Sequence, residues 1–194
     1  ANKILSSLLR IIEPIEHRIV FGCIPRFYAD SPIATLCNVT TLEQACETLR
    51  SRYVRIQPVG VLSPKKYFVT PLSIESKEPF QLFVQFPNYQ LFSDATVITI
   101  LPKLVLSWTN TYKQTSPITK WARELFGITT HDTIYSSFHT HSFTLETNQH
   151  QSVMLEGEII AKTPIQATVI PNLLHLIVRR DTIHEQGKEE KDSQ

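Results

Sequence analysis

Residues 152–178 read SVMLEGEIIAKTPIQATVIPNLLHLIV. Runs rich in Val, Ile and Leu alternate there with turn-forming Gly157, Pro164 and Pro171, a pattern that predicts short β-strands. The same texture extends back to Tyr53. The predicted strands are residues 53–62, 66–74, 80–86, 95–101, 104–108, 134–138, 142–147, 152–155, 165–170 and 173–178. Many short strands separated by turns are typical of an antiparallel sandwich or barrel.

One helix is predicted between these strands. Ser116 is a favourable N-cap, Pro117 suits the first helical position, and Gly127 suits the residue after the last turn. Beyond Val178 the chain is rich in charged residues and poor in apolar ones, which predicts a disordered tail at residues 181–194. The β-rich domain is therefore expected to cover residues 53–180.

The first fifty residues have a different pattern. Apolar residues at three- and four-residue spacing predict a helix over residues 4–12, and an apolar run at residues 18–24 predicts a strand buried on both faces. Residues 41–49 open with Thr41 and Gln44 at capping-box spacing and predict a second amphipathic helix. Residues 1–52 are thus expected to form a partial α/β domain, which makes the fold class α+β: a reduced α/β part followed by an antiparallel β-sandwich-like domain.

Charge and composition exclude several classes of function. The 194 residues carry 19 basic and 18 acidic side chains, so no field of one sign exists to hold nucleic acid. No apolar run approaches the roughly 18 residues of a membrane span, and no export signal is evident, so the sequence predicts a cytoplasmic protein. The three cysteines, Cys23, Cys37 and Cys46, form no C-x-x-C pair and are expected to be buried, reduced thiols.

Glycine is scarce, with only 5 residues in the chain, all far apart. A phosphate-binding loop needs several closely spaced glycines, because backbone N–H groups must approach the anion without side-chain hindrance. The composition therefore argues against a self-sufficient nucleotide-binding enzyme.

Two constellations could carry chemistry. Glu156 and Glu158 flank Gly157, where a carboxylate could act as a general base or hold a cation, although local chemistry favours a plain exposed hairpin turn. His139 and His141 would share one face of a strand and could begin a metal site, with His131, Asp132 and His150 as further candidates. No cysteine or carboxylate stands at ligand spacing beside them, so no metal site is predicted. Cys37 is a further candidate nucleophile. No basic residue stands beside it in the sequence to stabilise a thiolate, so a reactive thiol is not predicted.

The acidic turn and the segment after it resemble the C-terminal signature of the diacylglycerol kinase and sphingosine kinase-like lipid kinases. That signature is an L-D-G-E turn followed by T-P and a V-x-P-x-x-L hairpin, matched here by residues 155–158, 163–165 and 169–178. Residues 24–30 (IPRFYAD), 41–49 (TLEQACETL) and 67–69 (YFV) resemble earlier family segments in the same order. The similarity is collinear over residues 4–178.

The resemblance implies a nucleotide-binding α/β domain joined to a β-sandwich, in which magnesium and ATP serve to phosphorylate a lipid hydroxyl. It assigns Glu158 as the catalytic base with Glu156 beside it, and it places Arg26 and Asp30 in a cofactor-binding loop. The family's G-G-D-G-T loop, its S-x-G-F-D-A segment and its D-D-G-L segment have no counterpart. Phe27 and Tyr28 stand where the family has Gly-Thr, and their rings would obstruct the approach of backbone N–H groups to phosphate.

Three hypotheses follow. The first is a degenerate lipid-kinase-like protein, a pseudoenzyme that binds a lipid, another ligand or a partner without phosphoryl transfer. The alternative is an active or formerly active ATP-dependent lipid kinase, seen here as a fragment. The third is an interaction module that uses a sheet edge or an apolar cleft to hold a lipid or a protein, such as a second copy of the chain, with peripheral contact to a membrane.

Overall fold

The computed structural model describes residues 7–11, 19–25, 31–111 and 133–180. The predicted helix at residues 116–127, the loop residues Arg26, Phe27, Tyr28 and Asp30, and the predicted tail all lie outside these ranges. Residues 7–11 are helical, within the predicted first helix. Within the part of the chain that the structure describes, no helix is long and apolar enough to cross a membrane.

The remaining elements are two helices and eleven strands in the described ranges, and most strand pairs are antiparallel. The helices are α1 (Pro32–Cys37) and α2 (Leu42–Ser51). The strands are β1 (Val20–Phe21), β2 (Val54–Leu62), β3 (Lys66–Phe68), β4 (Leu72–Gln85), β5 (Gln90–Ile100), β6 (Val105–Thr111), β7 (Thr133–His139), β8 (Ser142–Thr147), β9 (Ser152–Leu155), β10 (Glu158–Lys162) and β11 (Ile165–Ile177).

The chain divides into two compact units, residues 1–69 with 170–194 and residues 70–169, called the first and second unit below. In the first unit, β2 pairs with β3, and β1 pairs in parallel with the last part of β11. Its core consists of residues from the helices and strands together: Leu9, Cys37, Val39, Ala45, Val59, Tyr67, Val69, Leu174, Leu176 and Val178. Burial of these side chains is what holds α1 and α2 on the sheet.

Both helices begin at the residue types that satisfy free N–H groups. The Ser31 hydroxyl accepts from Ala34 N at 3.1 Å, and the Thr41 hydroxyl accepts from Gln44 N at 3.2 Å. The Gln44 side-chain oxygen accepts a hydrogen bond from Thr40 N at 2.9 Å. In a standard capping box it would accept from the N-cap residue, which is one position later. The predicted helix at residues 41–49 is confirmed, with its end extended to Ser51, whereas α1 has no predicted counterpart.

The second unit is an antiparallel sheet. Strands β4, β5, β6 and β7 follow one another as neighbours, β8 lies between β4 and the first part of β11, and β9 pairs with both β4 and β10. Alternate residues of β4 are buried, among them Leu72, Ile74, Leu82 and Val84. This period of two places one face of the sheet in the core and leaves the other for polar residues.

Pro79 and Pro171 lie inside strands, although the sequence predicts a break between strands at both positions. β4 continues through Pro79, where the register with β5 shifts between Glu75 and Phe80, and β11 continues through the exposed Pro171. A proline is tolerated in a strand where its missing N–H has no ladder partner to lose, as at an irregularity. The predicted strands 66–74 and 80–86 therefore became β3 and one long β4, and the last two predicted strands merged.

The apolar run at residues 18–24 contains only a short strand and is largely exposed where the structure describes it. Only Val20 and Phe21 form a strand, and Ile19, Val20 and Ile24 are 36%, 43% and 59% exposed. Because β1 pairs through two residues at the end of β11, most of the run lies outside any ladder. The prediction that it is buried on both faces is wrong.

The three cysteines differ in environment. Cys37 is fully buried and Cys23 partly buried, with a hydrogen bond between the two side chains, whereas Cys46 is exposed. Ala45 and Thr48 are the buried residues of α2 and Cys46 is exposed, so the predicted burial of Cys46 is wrong. Burial raises the pKa of the Cys37 thiol to about 11, and burial also raises the pKa of Cys23.

We expect thiol-labelling reagents to distinguish these cysteines. At pH 8 a pKa of about 11 leaves roughly one Cys37 side chain in a thousand as the reactive thiolate, and burial blocks access besides. Alkylation followed by peptide mapping should therefore modify Cys46 first and Cys37 last. A Cys46→Ser variant should lose the fast phase, and modification of native Cys37 at the rate of Cys46 would contradict the packing of α1.

Candidate functional site

The acidic turn is the two-residue loop of a β-hairpin formed by β9 and β10, called the acidic hairpin below. Leu155 ends β9 and pairs with Glu158, the first residue of β10, so that Glu156 and Gly157 form the loop. Their φ angles are 52° and 79°, both in the left-handed region that a tight type I′ hairpin turn requires. Gly157 would meet no atom within 4 Å if it carried a Cβ, so the backbone conformation and not lack of space favours glycine here.

The hairpin is held against β4. Leu72 and Ser73 at the start of β4 pair with Leu155 and Met154 of β9. This pairing brings Thr70 close to the turn, and the Thr70 hydroxyl donates to Glu156 Oε1 at 3.3 Å. The two residues are 86 apart in sequence, and Thr70 was not among the predicted site residues. Only the register of β4 with β9 identifies it.

The structure therefore brings Glu156 and Glu158 to one turn, both with exposed side chains. Carboxylates in such a position can accept a proton from a bound hydroxyl or contribute oxygen ligands to a cation. Arg26 and Asp30, the other predicted site residues, lie outside the described residues. The plain hairpin expected from local chemistry is the geometry found, with the acidic side chains presented outward.

A buried threonine secures the base of the hairpin. Thr163, which follows β10 and is 2% exposed, accepts a hydrogen bond from Gln151 N at 2.9 Å through its hydroxyl, which also bonds the Thr147 hydroxyl. Its backbone N donates to Gln151 O at 3.0 Å, and its carbonyl bonds His150 Nδ1 at 2.6 Å. The Thr-Pro dipeptide of the sequence signature thus connects the segment before β9 to the segment after β10.

The histidine pair does not lie on a single strand. His139 ends β7 and His141 lies beyond it in the turn before β8, where the Thr140 hydroxyl donates to Ser142 O at 2.9 Å. The expectation that both histidines lie on one strand face is wrong, because the chain reverses between them. Across residues 7–11, 19–25, 31–111 and 133–180, no three His, Cys, Asp or Glu side chains cluster to hold a metal, and His131 and Asp132 lie outside these ranges.

Comparison with known proteins rests on structure alone. No family model matches the sequence, and no curated protein matches it. A crystal structure of a diacylglycerol kinase from Bacillus anthracis superimposes with a TM-score of 0.68 at 13% identity, covering 94% of this chain and 75% of that chain. A second structure, of a candidate diacylglycerol kinase from the same organism, gives a TM-score of 0.66 at 14% identity over 93% of this chain and 77% of that chain. The chain therefore shares the fold of these diacylglycerol kinase structures, the fold family to which its C-terminal signature pointed.

Proposed function

We propose that this chain is a lipid-kinase-like protein that does not transfer phosphate and instead binds a lipid, another ligand or a partner protein. The observation that carries the proposal is the retention of the acidic hairpin in a sequence with no glycine-rich loop. A general base contributes about 10²–10⁴ to a rate, whereas phosphoryl transfer depends mainly on positioning and charge neutralisation of the nucleotide. The acidic turn would supply only the general base, which is the smaller of these two contributions to the rate.

In this proposal residues 1–52 correspond to part of a nucleotide-binding α/β domain, and residues 53–180 are the sandwich-like C-terminal domain of a lipid kinase. The bulky Phe27 and Tyr28 would exclude a triphosphate from the loop that contains Arg26 and Asp30. The protein acts in the cytoplasm, in peripheral contact with a lipid surface or as a pair of identical chains.

The alternative is an ATP-dependent lipid kinase that uses Glu158 as the base, with magnesium and ATP as cofactors. The observation that favours it is the exposure of both hairpin carboxylates, because a base must reach the hydroxyl that it deprotonates. Glu156, held by Thr70, would then orient the turn, and the nucleotide would have to bind without a cluster of glycines.

Titration with magnesium and ATP tests the two proposals against each other. A ligand at one hundred times its Kd stabilises the native state by about 2.7 kcal/mol, which for a chain of this size raises the thermal midpoint by roughly 5–10 °C. We expect no rise at millimolar nucleotide, and we expect no phosphate transfer to diacylglycerol or a sphingoid base in a radiolabel assay.

Transfer that is abolished in Glu158→Gln and retained in Glu78→Gln would establish the kinase instead. Glu78 is an exposed acid of β4 and serves as the matched control for loss of one surface carboxylate. Native mass measurement of the purified protein adds an independent result. A co-purified acyl chain would support lipid binding, and a doubled mass would support the pair of identical chains.

A further inference from the structure

The outward face of β8, β4 and β5 carries an unusual set of side chains for a solvent-facing sheet surface. In the strand register, Glu146 of β8, Phe83 of β4 and Phe92 of β5 form one row across the three strands. Gln81 and Asp94 form the next row, and Asn148 joins it through Asn148 Oδ1, which accepts from Gln81 N at 3.2 Å. We call these six residues the acidic aromatic face.

The acidic aromatic face borders an open pocket of about 740 Å³ that lies within the second unit. Alternate residues of a strand point to opposite sides, and the neighbouring residues Leu82, Val84 and Leu145 are buried on the inner side of the sheet. The pocket is open to the surface, and besides the acidic aromatic face it is lined by Leu82, Ser93 and Thr147.

Phe92 is exposed and Phe83 half-buried, at positions where the solvent-facing side of a sheet ordinarily carries polar residues. The rings of Phe83 and Phe92 lie 4.6 Å apart between centroids with an interplanar angle of 39°. Phe92 is 76% exposed. Because Phe92 is largely exposed and its ring contacts that of Phe83, the pair forms an aromatic surface that a ligand can reach.

Among the described residues that line the pocket, the charged ones are both acidic. Asp94 and Glu146 line the pocket, and no lysine, arginine or histidine is among the residues that line it. Gln81 and Asn148 add polar neighbours without charge. Phenyl faces attract cations, and the attraction is stronger where carboxylates add to it.

We infer that the acidic aromatic face binds an organic ammonium ion, with the cation over Phe92 and Phe83 and its charge balanced by Asp94 and Glu146. A Mg²⁺ or Ca²⁺ ion would need six or more oxygen ligands, more than the carboxylates of Asp94 and Glu146 provide. An ammonium group with methyl or alkyl substituents matches both the rings and the carboxylates, because its carbon atoms can contact the rings while its charge attracts the carboxylates. This inference is independent of the acidic hairpin and of the proposed function.

Choline and its neutral isostere 3,3-dimethyl-1-butanol test the inference directly on the full chain. The two molecules have the same shape and differ in charge, so calorimetric titration separates cation recognition from simple apolar contact. We expect choline to bind in the millimolar range and the isostere to bind at least about fivefold more weakly. Equal affinity for both, or no binding of choline, would overturn the inference.

Surface variants identify the residues involved without threatening the fold. Phe92→Leu keeps an apolar side chain but removes the ring, and Asp94→Asn and Glu146→Gln remove one charge each. Each is expected to weaken choline binding by about three- to fivefold. Tyr135→Leu is the matched control, because Tyr135 is an aromatic residue of β7 that is 65% exposed and does not line the pocket. Unchanged affinity in Phe92→Leu would overturn the inference.

The same chemistry is available from a free solute or from the headgroup of a lipid. Vesicles of phosphatidylcholine, compared with vesicles of phosphatidylglycerol, distinguish these sources. Adsorption to phosphatidylcholine that free choline displaces identifies a headgroup, and choline binding without adsorption identifies a solute. Adsorption that free choline does not displace, with no choline binding in solution, would refute the ammonium site.

Discussion

Replacement of Gly60 by alanine is expected to lower the free energy of unfolding by about 3 kcal/mol, the upper part of the usual range for overpacked cores. Gly60 lies in β2 opposite Phe68 of β3. A Cβ at residue 60 would lie 2.1 Å from Cζ of Phe68 and 2.4 Å from both Cε atoms. Phe68 is 2% exposed, so its ring cannot swing into solvent to make room. Urea unfolding followed by circular dichroism measures the loss.

A double-mutant cycle shows whether the ring is the cause. Phe68→Leu shortens the side chain at the point of collision, so adding Gly60→Ala to it should cost at least about 1 kcal/mol less than in the native background. Gly157→Ala is the glycine control, because a Cβ there meets open space and only the φ of 79° is unfavourable. It should cost about 1–2 kcal/mol with no dependence on residue 68. Full additivity of the changes at 60 and 68 would contradict the packing described.

Replacement of Thr163 by valine is expected to cost about 1–3 kcal/mol of unfolding free energy. The substitution keeps the shape of the side chain but removes the hydroxyl that accepts from Gln151 N and bonds the Thr147 hydroxyl. The Thr147 hydroxyl still donates to Gln149 O at 2.6 Å, so Gln151 N is the group that loses its partner, and a buried polar group without a partner costs roughly 1–3 kcal/mol. Chemical denaturation again provides the measurement, and hydrogen exchange at the Gln151 amide should become faster than in the native protein.

The matched control for this second substitution is Thr168→Val. Thr168 lies in β11, the strand that begins two residues after Thr163, and its side chain is exposed. Its replacement should change the unfolding free energy by no more than about 0.5 kcal/mol. If Thr163→Val were equally mild, the hydrogen bonds at the base of the acidic hairpin would not hold it in the way described.

Elements that depend on their own residues are predictable from the sequence. Strands β8 and β9 have the predicted boundaries, and Thr41 is the N-cap of α2, as the capping pattern indicates. Strand β10 was not predicted, and the burial predicted for Cys46 is wrong because a shift of one position around α2 exchanges buried for exposed. Helix rotation and strand continuity depend on the surface against which an element packs, and that surface is distant in sequence.

The candidate site divides in the same way. Glu156-Gly157 was recognisable as a turn because a two-residue loop with left-handed backbone selects its residue types locally. Nothing in the neighbouring residues indicates that Thr70 reaches Glu156, or that Phe83, Phe92 and Glu146 lie side by side. Those neighbours are set by strand register, in which a slip of one residue would turn every side chain to the opposite face. Backbone preference along the chain is therefore sufficient for the acidic turn, the N-cap of α2 and strands β8 and β9, whereas the composition of any surface that could bind a ligand emerges only when distant strands pair.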